Sequence, residues 1–517
     1  MKKSQFYFVS SVIVIGISIA IFWSSNLASS TDYTEQYRPQ FHFSPEENWM
    51  NDPNGMVYYE GEYHLFYQHN PHDNVWGPMY WGHAISQDMI EWEHRPIALE
   101  PDEIGTIFSG SAVVDWNNST GFFDEKGEGL VAIFTHAGDG QSQSLAYSKD
   151  KGRTWEKYEG NPVIPSDPAI PDFRDPKVFW HDDTEKWIMA ITAGKKVLFY
   201  GSPNLIEWDF LSEFGEGMGA QGGVWECPDL FELAIDGDSD HTKWVLQVDI
   251  GDGAIAGGSG AQYFIGEFDG TTFVSEHDPE QINWLDYGAD FYAAQSFSDI
   301  PDEDERRVMI AWMNNWLYAN QVPTEVWRGA MSFPREMKLI TDSMGEIKVA
   351  QKPIQELSSL RGEELFHLEN ERIDQSAAKD LLANIKADAF ELFVEIDRNL
   401  VSDVGFKIRQ SENLEDETQI GFSSETNELF VERRQLDEIY FSPYFNGRHK
   451  VALSNSDTLT LQILVDQSSV EVFVQDGQYV ITDLIFPNED SVNMEFFLEG
   501  EEVLIHTLTI HSLQSIW

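Results

Sequence analysis

One supersecondary pattern recurs from Tyr37 to about Arg335, and it restricts the fold more than any other feature of the chain. Short alternating runs bounded by Gly, Asn, Asp and Pro read as hairpins. The first is MVYYEGEYHLFY at 56–67, with Glu60–Gly61 at the turn, and further pairs lie within 111–138, 177–194, 229–251 and 295–312. A second element follows the hairpins, a turn that ends in an aromatic residue. It reads SQDMIEW at 86–92, SKDKGRTW at 148–155 and SPNLIEW at 202–208, with a looser copy, DGTTF, at 269–273. The aromatic positions are spaced by 63, 53 and 65 residues. A unit of four short strands repeating on this scale predicts a β-propeller, and five hairpins predict five blades. A single large sandwich does not explain why hairpin and turn recur in order.

After Pro334–Arg335 the repeat weakens. Residues 351–388 are charged and partly helical in pattern, and read as a linker. From 389 to 517 alternation returns without the turn motif, which predicts a separate β-sandwich of ordinary domain size. The catalytic propeller is expected over 37–350, and the fold class is all-β.

The first 30 residues have a different character. Lys2–Lys3 precede a mostly apolar stretch from Phe6 to Trp23, the layout of an export signal. Asn26-Leu27-Ala28 is a fair cleavage site at best, and a mostly apolar stretch of 18 residues approaches a spanning length, so an uncleaved N-terminal membrane anchor is the alternative. Either way the protein is expected outside the cell or on its surface.

Bulk composition narrows the function classes. Hydrophobic residues make up 42% of the 517, enough for real cores. The net charge of −55 repels phosphate-rich partners and argues against nucleic acid, whereas a neutral polysaccharide is indifferent to it. That excess reads either as an adaptation to salt or as an ordinary solvated acidic surface. The single cysteine, Cys227, excludes intrachain disulfides and multi-thiolate zinc sites. The 17 tryptophans serve packing first, and their flat faces also suit sugar rings.

Polar clusters fall in phase with the repeat. Just before successive hairpins come Asn51-Asp52-Pro53-Asn54-Gly55, Phe108-Ser109-Gly110-Ser111, Arg174-Asp175-Pro176, Glu226-Cys227-Pro228-Asp229 and Asp290 to Gln295. Equivalent positions in a propeller would gather Asp52, Asp175 and Glu226 around one funnel. Clustered carboxylates repel, so at least one is pushed towards its protonated form beside an ionised partner. Glycosidic cleavage needs such a pair. Asp-Pro and Asn-Gly are also common turn chemistry, which would explain any one site but not three in register.

These motifs, with Trp49 and Met50 ahead of Asn51, resemble glycoside hydrolase family 32, which includes invertases, levanases and inulinases. The resemblance runs from about residue 37 to the end. It implies a five-bladed propeller followed by a β-sandwich, with Asp52 as nucleophile, Glu226 as acid/base and Asp175 as transition-state stabiliser. It further implies a fructose pocket drawn from Trp49, Met50, Asn51, Gln68, Trp76, Phe108, Ser109, Arg174 and Trp312, with Trp76 and Trp312 closing it. The implied partners are fructan polysaccharide and sucrose, and the implied cofactor requirement is none, metal or organic.

Rival readings remain. Ser148 to Trp155 matches the Asp-box of sialidases, yet no arginine cluster for a substrate carboxylate stands out. A silent sugar-binding propeller would be expected to lack one of the three carboxylates. A fructosyltransferase would use the same site with sugar in place of water. Asp236 to Asp240 resembles the start of a calcium loop, but lacks Gly at the sixth position and Glu at the twelfth, and reads as a hairpin tip. Cys227 reads as packing, with influence on Glu226 as the alternative.

Overall fold

The computed structural model describes residues 33–124, 127–301, 303–398, 401–412, 417–434 and 440–517. The proposed export segment lies outside the described residues. Among those described, no helix is long and apolar enough to cross a membrane.

Four-stranded antiparallel units follow one another along the chain. The first comprises Asn48–Tyr59, Glu62–Asn70, Tyr80–Ser86 and Glu93–Leu99, with Trp327–Arg328 pairing in parallel beside its first strand. The second comprises Gly105–Val114, Leu130–Gly138, Gly140–Ser148 and Glu156–Lys157; the third, Phe173–His181, Lys186–Ala193, Val197–Ser202 and Asp209–Phe214. The fourth runs from Trp225–Ile235 through Asp238–Ile250 and Gly260–Phe268 to Phe273–Ser275. Tyr292–Ser296, Arg307–Trp312, Arg335–Thr341 and Ile347–Pro353 form the next set, joined to the fourth by a parallel contact of Ile235 with Leu339. The opening hairpin turns at Glu60 and Gly61, both at positive φ (46° and 89°), as a two-residue turn between right-twisted strands requires.

In each copy an Asp or Asn side chain closes the turn. Asp88 Oδ1 accepts from the backbone N–H groups of Ile90 and Glu91, and Asn204 Oδ1 from those of Ile206 and Glu207. Asp150 holds Thr154 through its backbone N–H and hydroxyl, and Asp269 holds Thr271 and Thr272. The residue after each of these is left-handed: Met89, Lys151, Leu205 and Gly270. An acceptor side chain closing its own turn explains why Asp or Asn recurs there.

The first strands of the units lie side by side, each touching the next, and the last returns to the first. Ser111 Oγ donates to the Pro176 carbonyl, Gln295 Nε2 to that of Cys227, and Ser298 exchanges backbone bonds with Met56 and Tyr58. Apolar clusters fill the spaces between neighbouring sheets. Phe66, Trp81 and Phe134 bridge the first pair, Val131 and Met189 the second, and Phe199 and Leu246 the third. Phe231 and Met309 then meet across the fourth space, and Phe297 and Leu65 across the closing one. Burial of these faces is the main stabilising term, and it fixes the angular placement of each first strand.

The C-terminal part is two antiparallel sheets around one core that includes Phe390, Val404, Ile463 and Phe496. The segment expected to be a linker is structured. Ile347–Pro353 carries the preceding sheet through residue 353, and Arg361–Asp374 pairs along Glu502–Leu513. A short helix, Gln375–Leu381, follows, with Asp374 accepting from the N–H groups of Ser376 and Ala377. Arg361–Asp374 is an edge strand with most side chains in solvent, so its apolar alternation is faint and its charge mimics a linker.

The two parts are joined by buried charge. His42 lies between Asp466 and Glu471 at 2.8 Å each, and Glu471 also meets Arg335. Arg433 reaches Asp290 and the Tyr318 hydroxyl.

Candidate active site

Each first strand carries a β-bulge near its start. Asn51 and Asp52 together face Gln68; Phe108 and Ser109 face Thr135; Asp175 and Pro176 face Ile191. Cys227 and Pro228 face Val248, and Ala293 and Ala294 face Ala311. Two residues against one interrupts pairing, bends the strand and re-aims a side chain. Pro53, Pro176 and Pro228 lie in or beside these bulges, where the missing N–H costs no ladder bond. Asp175, Cys227 and Ala293 take φ of 64°, 44° and 55°, a conformation that persists only where the surroundings hold it. The sequence reading placed the polar clusters just ahead of the hairpins. They are bulges inside the strands, in phase around the ring.

The result is a pocket of about 140 Å³ lined by Asn51, Asp52, Gln68, Trp76, Phe108, Ser109, Arg174, Asp175, Glu226 and Trp316. That is roughly five waters' worth of liquid, the scale of a single sugar residue. It adjoins a cleft of about 880 Å³ that shares Trp76 and Phe108 and continues past Gln141, Asp167 and Asp172.

Both Asp52 oxygens are held. Oδ1 accepts from Asn51 Nδ2 and Oδ2 from Ser109 Oγ, each at 2.8 Å. Trp49 donates its Nε1–H to Asn51 Oδ1 at 2.7 Å and so fixes the amide that aims at Asp52. Glu226 Oε1 accepts from Arg174 Nε at 3.1 Å and Nη2 at 2.8 Å, while Oε2 accepts from the Tyr292 hydroxyl. Asp172 accepts from Arg174 Nη1 at 3.0 Å. Asp175 Oδ2 accepts from the Cys227 backbone N–H at 3.0 Å.

Burial raises the Glu226 carboxyl above its usual range; Arg174 opposes the shift and Asp52 adds to it. Asp175 is raised too, first by burial, then by Glu226 and Asp52 against the pull of Arg174. Cys227 sits between two carboxylates, with Sγ 3.6 Å from Asp52 Oδ2 and 3.7 Å from Asp175 Oδ2. Burial and those charges push its thiol well above the ordinary value, so it stays a neutral donor. It therefore fills space and also bridges Asp52 to Asp175.

Nine of the residues selected from sequence line the pocket, and three do not. Met50 is core. Trp49 and Trp312 are fully buried, behind Trp316, at ring distances of 6.0 and 4.9 Å from it. Trp312 pairs with Tyr292 inside the sheet, whereas Trp316 lies in the loop beyond the strand. Asn315 turns that loop by donating to the Gly257 and Ala289 carbonyls, and the Trp316 N–H donates to Ser259 Oγ at 3.2 Å. A Cβ on Gly258 would lie 2.2 Å from Asn315 Oδ1, so the loop packs there only against a glycine. Trp316 and Tyr292 were missed from sequence; two tryptophans four residues apart were the available signal. Asp236 and Gly237 form a tight hairpin turn.

Comparison with known proteins adds a second line. The model of the glycosyl hydrolases family 32 N-terminal domain matches residues 42–353, and that of the family's C-terminal domain matches 356–512. The chain belongs to glycoside hydrolase family 32. As a family 32 member it is a glycoside hydrolase. It is 50% identical to a levanase of Bacillus subtilis (strain 168) over 100% of its own length and 76% of that protein. It is 37% identical to an extracellular exo-inulinase of Aspergillus niger, covering 95% of this chain and 97% of the other. The crystal structure of the exo-inulinase from Aspergillus awamori superposes with a TM-score of 0.87 at 36% identity, over 94% of this chain and 100% of that one.

Proposed function

We propose that this protein is a retaining β-fructosidase that removes terminal fructose from fructans and sucrose. The observation that carries the reading is the pairing of Asp52 with Glu226 across a pocket of single-sugar size. Asp52, fixed by Asn51 and Ser109, is the nucleophile at the anomeric C2. Glu226, a carboxyl that burial shifts towards its protonated form, donates a proton to the departing oxygen. The same group, then ionised, takes a proton from water, which breaks the fructosyl–Asp52 bond and frees fructose with retained configuration. Asp175 accepts hydrogen bonds from sugar hydroxyls and stabilises charge developing on the ring.

Several features support this. Gln68 lines the pocket, and its Nε2 is a buried donor with no partner among the described residues. Trp76 and Trp316 offer flat faces. The adjoining cleft gives the rest of a polymer somewhere to lie, while the small pocket admits one residue, which favours attack at a chain end. The ring of sheets is read as a five-bladed propeller and the C-terminal pair as a β-sandwich. The basic and apolar N-terminal segment, with the extracellular naming of a relative, supports placement outside the cell.

Time-resolved product analysis on levan, inulin and sucrose tests the reading. Free fructose is expected as the dominant early product. A ladder of short oligosaccharides preceding fructose would overturn chain-end action, and failure to cleave any of the three would overturn the substrate class.

A further inference from the structure

The first strands that carry Asp175 and Glu226 near their starts end in a second concavity. Phe173–His181 bears Asp175 near one end and Trp180 near the other, five residues on, or roughly 16 Å of extended chain. Three of the other first strands, all but Asn48–Tyr59, contribute in the same sense. Trp116 follows the end of Gly105–Val114, Glu232 lies late in Trp225–Ile235, and Asp299 follows Tyr292–Ser296. Together they line a pit of about 690 Å³.

Two exposed tryptophans mark this pit, Trp116 at 51% and Trp180 at 38% of full exposure. Both are held rigidly. Trp116 donates its Nε1–H to Asp299 Oδ1 at 2.8 Å and meets the Tyr59 ring edge-on. Trp180 packs edge-on against Trp187, which is itself tied to Ser119 Oγ at 3.0 Å. Planar polar groups line the same pit: Asn117, Asp182, Asp183 and Arg307. Fixed aromatic faces lose little entropy on contact and stack on the C–H faces of a sugar, while carboxylate, amide and guanidinium groups match its hydroxyls. The acidic rim and the net charge of −55 disfavour anionic ligands.

We propose that this pit is a non-catalytic binding site for a neutral polysaccharide, a fructan chain in particular. The choice of fructan rests on the proposed function. A polymer held here is tethered to the enzyme while one of its ends enters the catalytic pocket, which raises the effective concentration of ends without any new catalytic contact. Sucrose is too short to profit.

The test uses the full chain carrying Asp52→Asn, so that polymer is not consumed, in affinity electrophoresis through gels containing levan, inulin or dextran. Levan or inulin should retard it, and adding Trp116→Ala with Trp180→Ala should weaken that retention about tenfold or more, as loss of two anchoring aromatic faces implies. In the active protein the same pair should leave kcat/KM on sucrose within about twofold while raising KM on levan. The rim pair Asn117→Ala with Asp182→Ala, on exposed polar positions, supplies a second test should the tryptophan variants fold poorly. Unchanged levan retention in folded variants would overturn the site, as would a loss of sucrose activity in step with polymer binding. Stronger retention by dextran than by fructans would overturn the assignment of ligand. If wild-type protein cleaved no fructan yet were retarded through these tryptophans, the proposed function would fail and the pit would stand.

Discussion

Arg174 sends two nitrogens, Nε and Nη2, to one oxygen of Glu226, at 3.1 and 2.8 Å, and leaves the other oxygen to Tyr292. The acid is thus gripped on one side by a permanent cation. Burial raises its pKa and Arg174 restrains the rise. A group that acts as proton donor sets the basic limb of the pH profile, so the restraint sets how far into alkali the enzyme works. Arg174→Met should move the basic limb of kcat/KM upward by about one unit or more, with a lower kcat, and Arg174→Lys should move it less. The check is a full pH profile on sucrose, and an unmoved limb would remove Arg174 from this role.

Asp52 and Glu226 separate by leaving group. Nitrophenolate departs with little protonation, so Glu226→Gln should keep a much larger share of glycosylation on nitrophenyl fructoside than on sucrose or levan. Asp52→Asn should lose all of them about equally, because the nucleophile is needed whatever leaves. Pre-steady-state kinetics alongside thermal unfolding of both variants decides the matter. Appreciable turnover by folded Asp52→Asn would end the assignment.

Trp312 and Trp316 should fail in different ways. Trp316 lines the pocket, and Trp316→Ala should raise KM with little change in melting temperature. Trp312 is wholly buried among Trp49, Tyr292 and Trp316, and Trp312→Ala should cost about 3–5 kcal/mol of stability. Denaturant unfolding and sucrose kinetics on the two variants distinguish them.

His42 makes stability depend on pH at the junction of the two parts. Burial opposes its charge, but Asp466 and Glu471 outweigh that and raise its pKa from 6.5 to about 9. A raised histidine stabilises the folded state fully below its unfolded value and loses that contribution as pH rises through the folded one. The melting temperature should therefore fall between about pH 6.5 and 9, with a ceiling of about 3 kcal/mol from this group. His42→Gln should flatten that slope and lower stability at pH 6. An unchanged slope would mean another group carries it.

The repeat was legible from residues alone because each of its parts is local. Glu60-Gly61 forces a tight turn, and Asp88, Asp150 and Asn204 close their own turns. Alternating apolar positions declare a sheet with packed faces. The three carboxylates were legible for the same reason, since each sits beside a fixed landmark of a repeated unit. The edge strand Arg361–Asp374 was not legible: its partner lies more than a hundred residues away, and solvent on both faces erases the alternation that marks a strand. The pocket wall was not legible either. Whether Trp312 or Trp316 lines the pocket depends on a loop turned by Asn315 against Gly257 and Ala289, contacts distant in sequence. Proline after Asp52 and Asp175 fits turn chemistry as well, and only the pairing of neighbouring strands made each a bulge. Local chemistry in the sequence chose the units and their reactive groups. Packing of sheet against sheet decided which of those groups meet, because distance, burial and charge between remote residues exist only once the ring has closed.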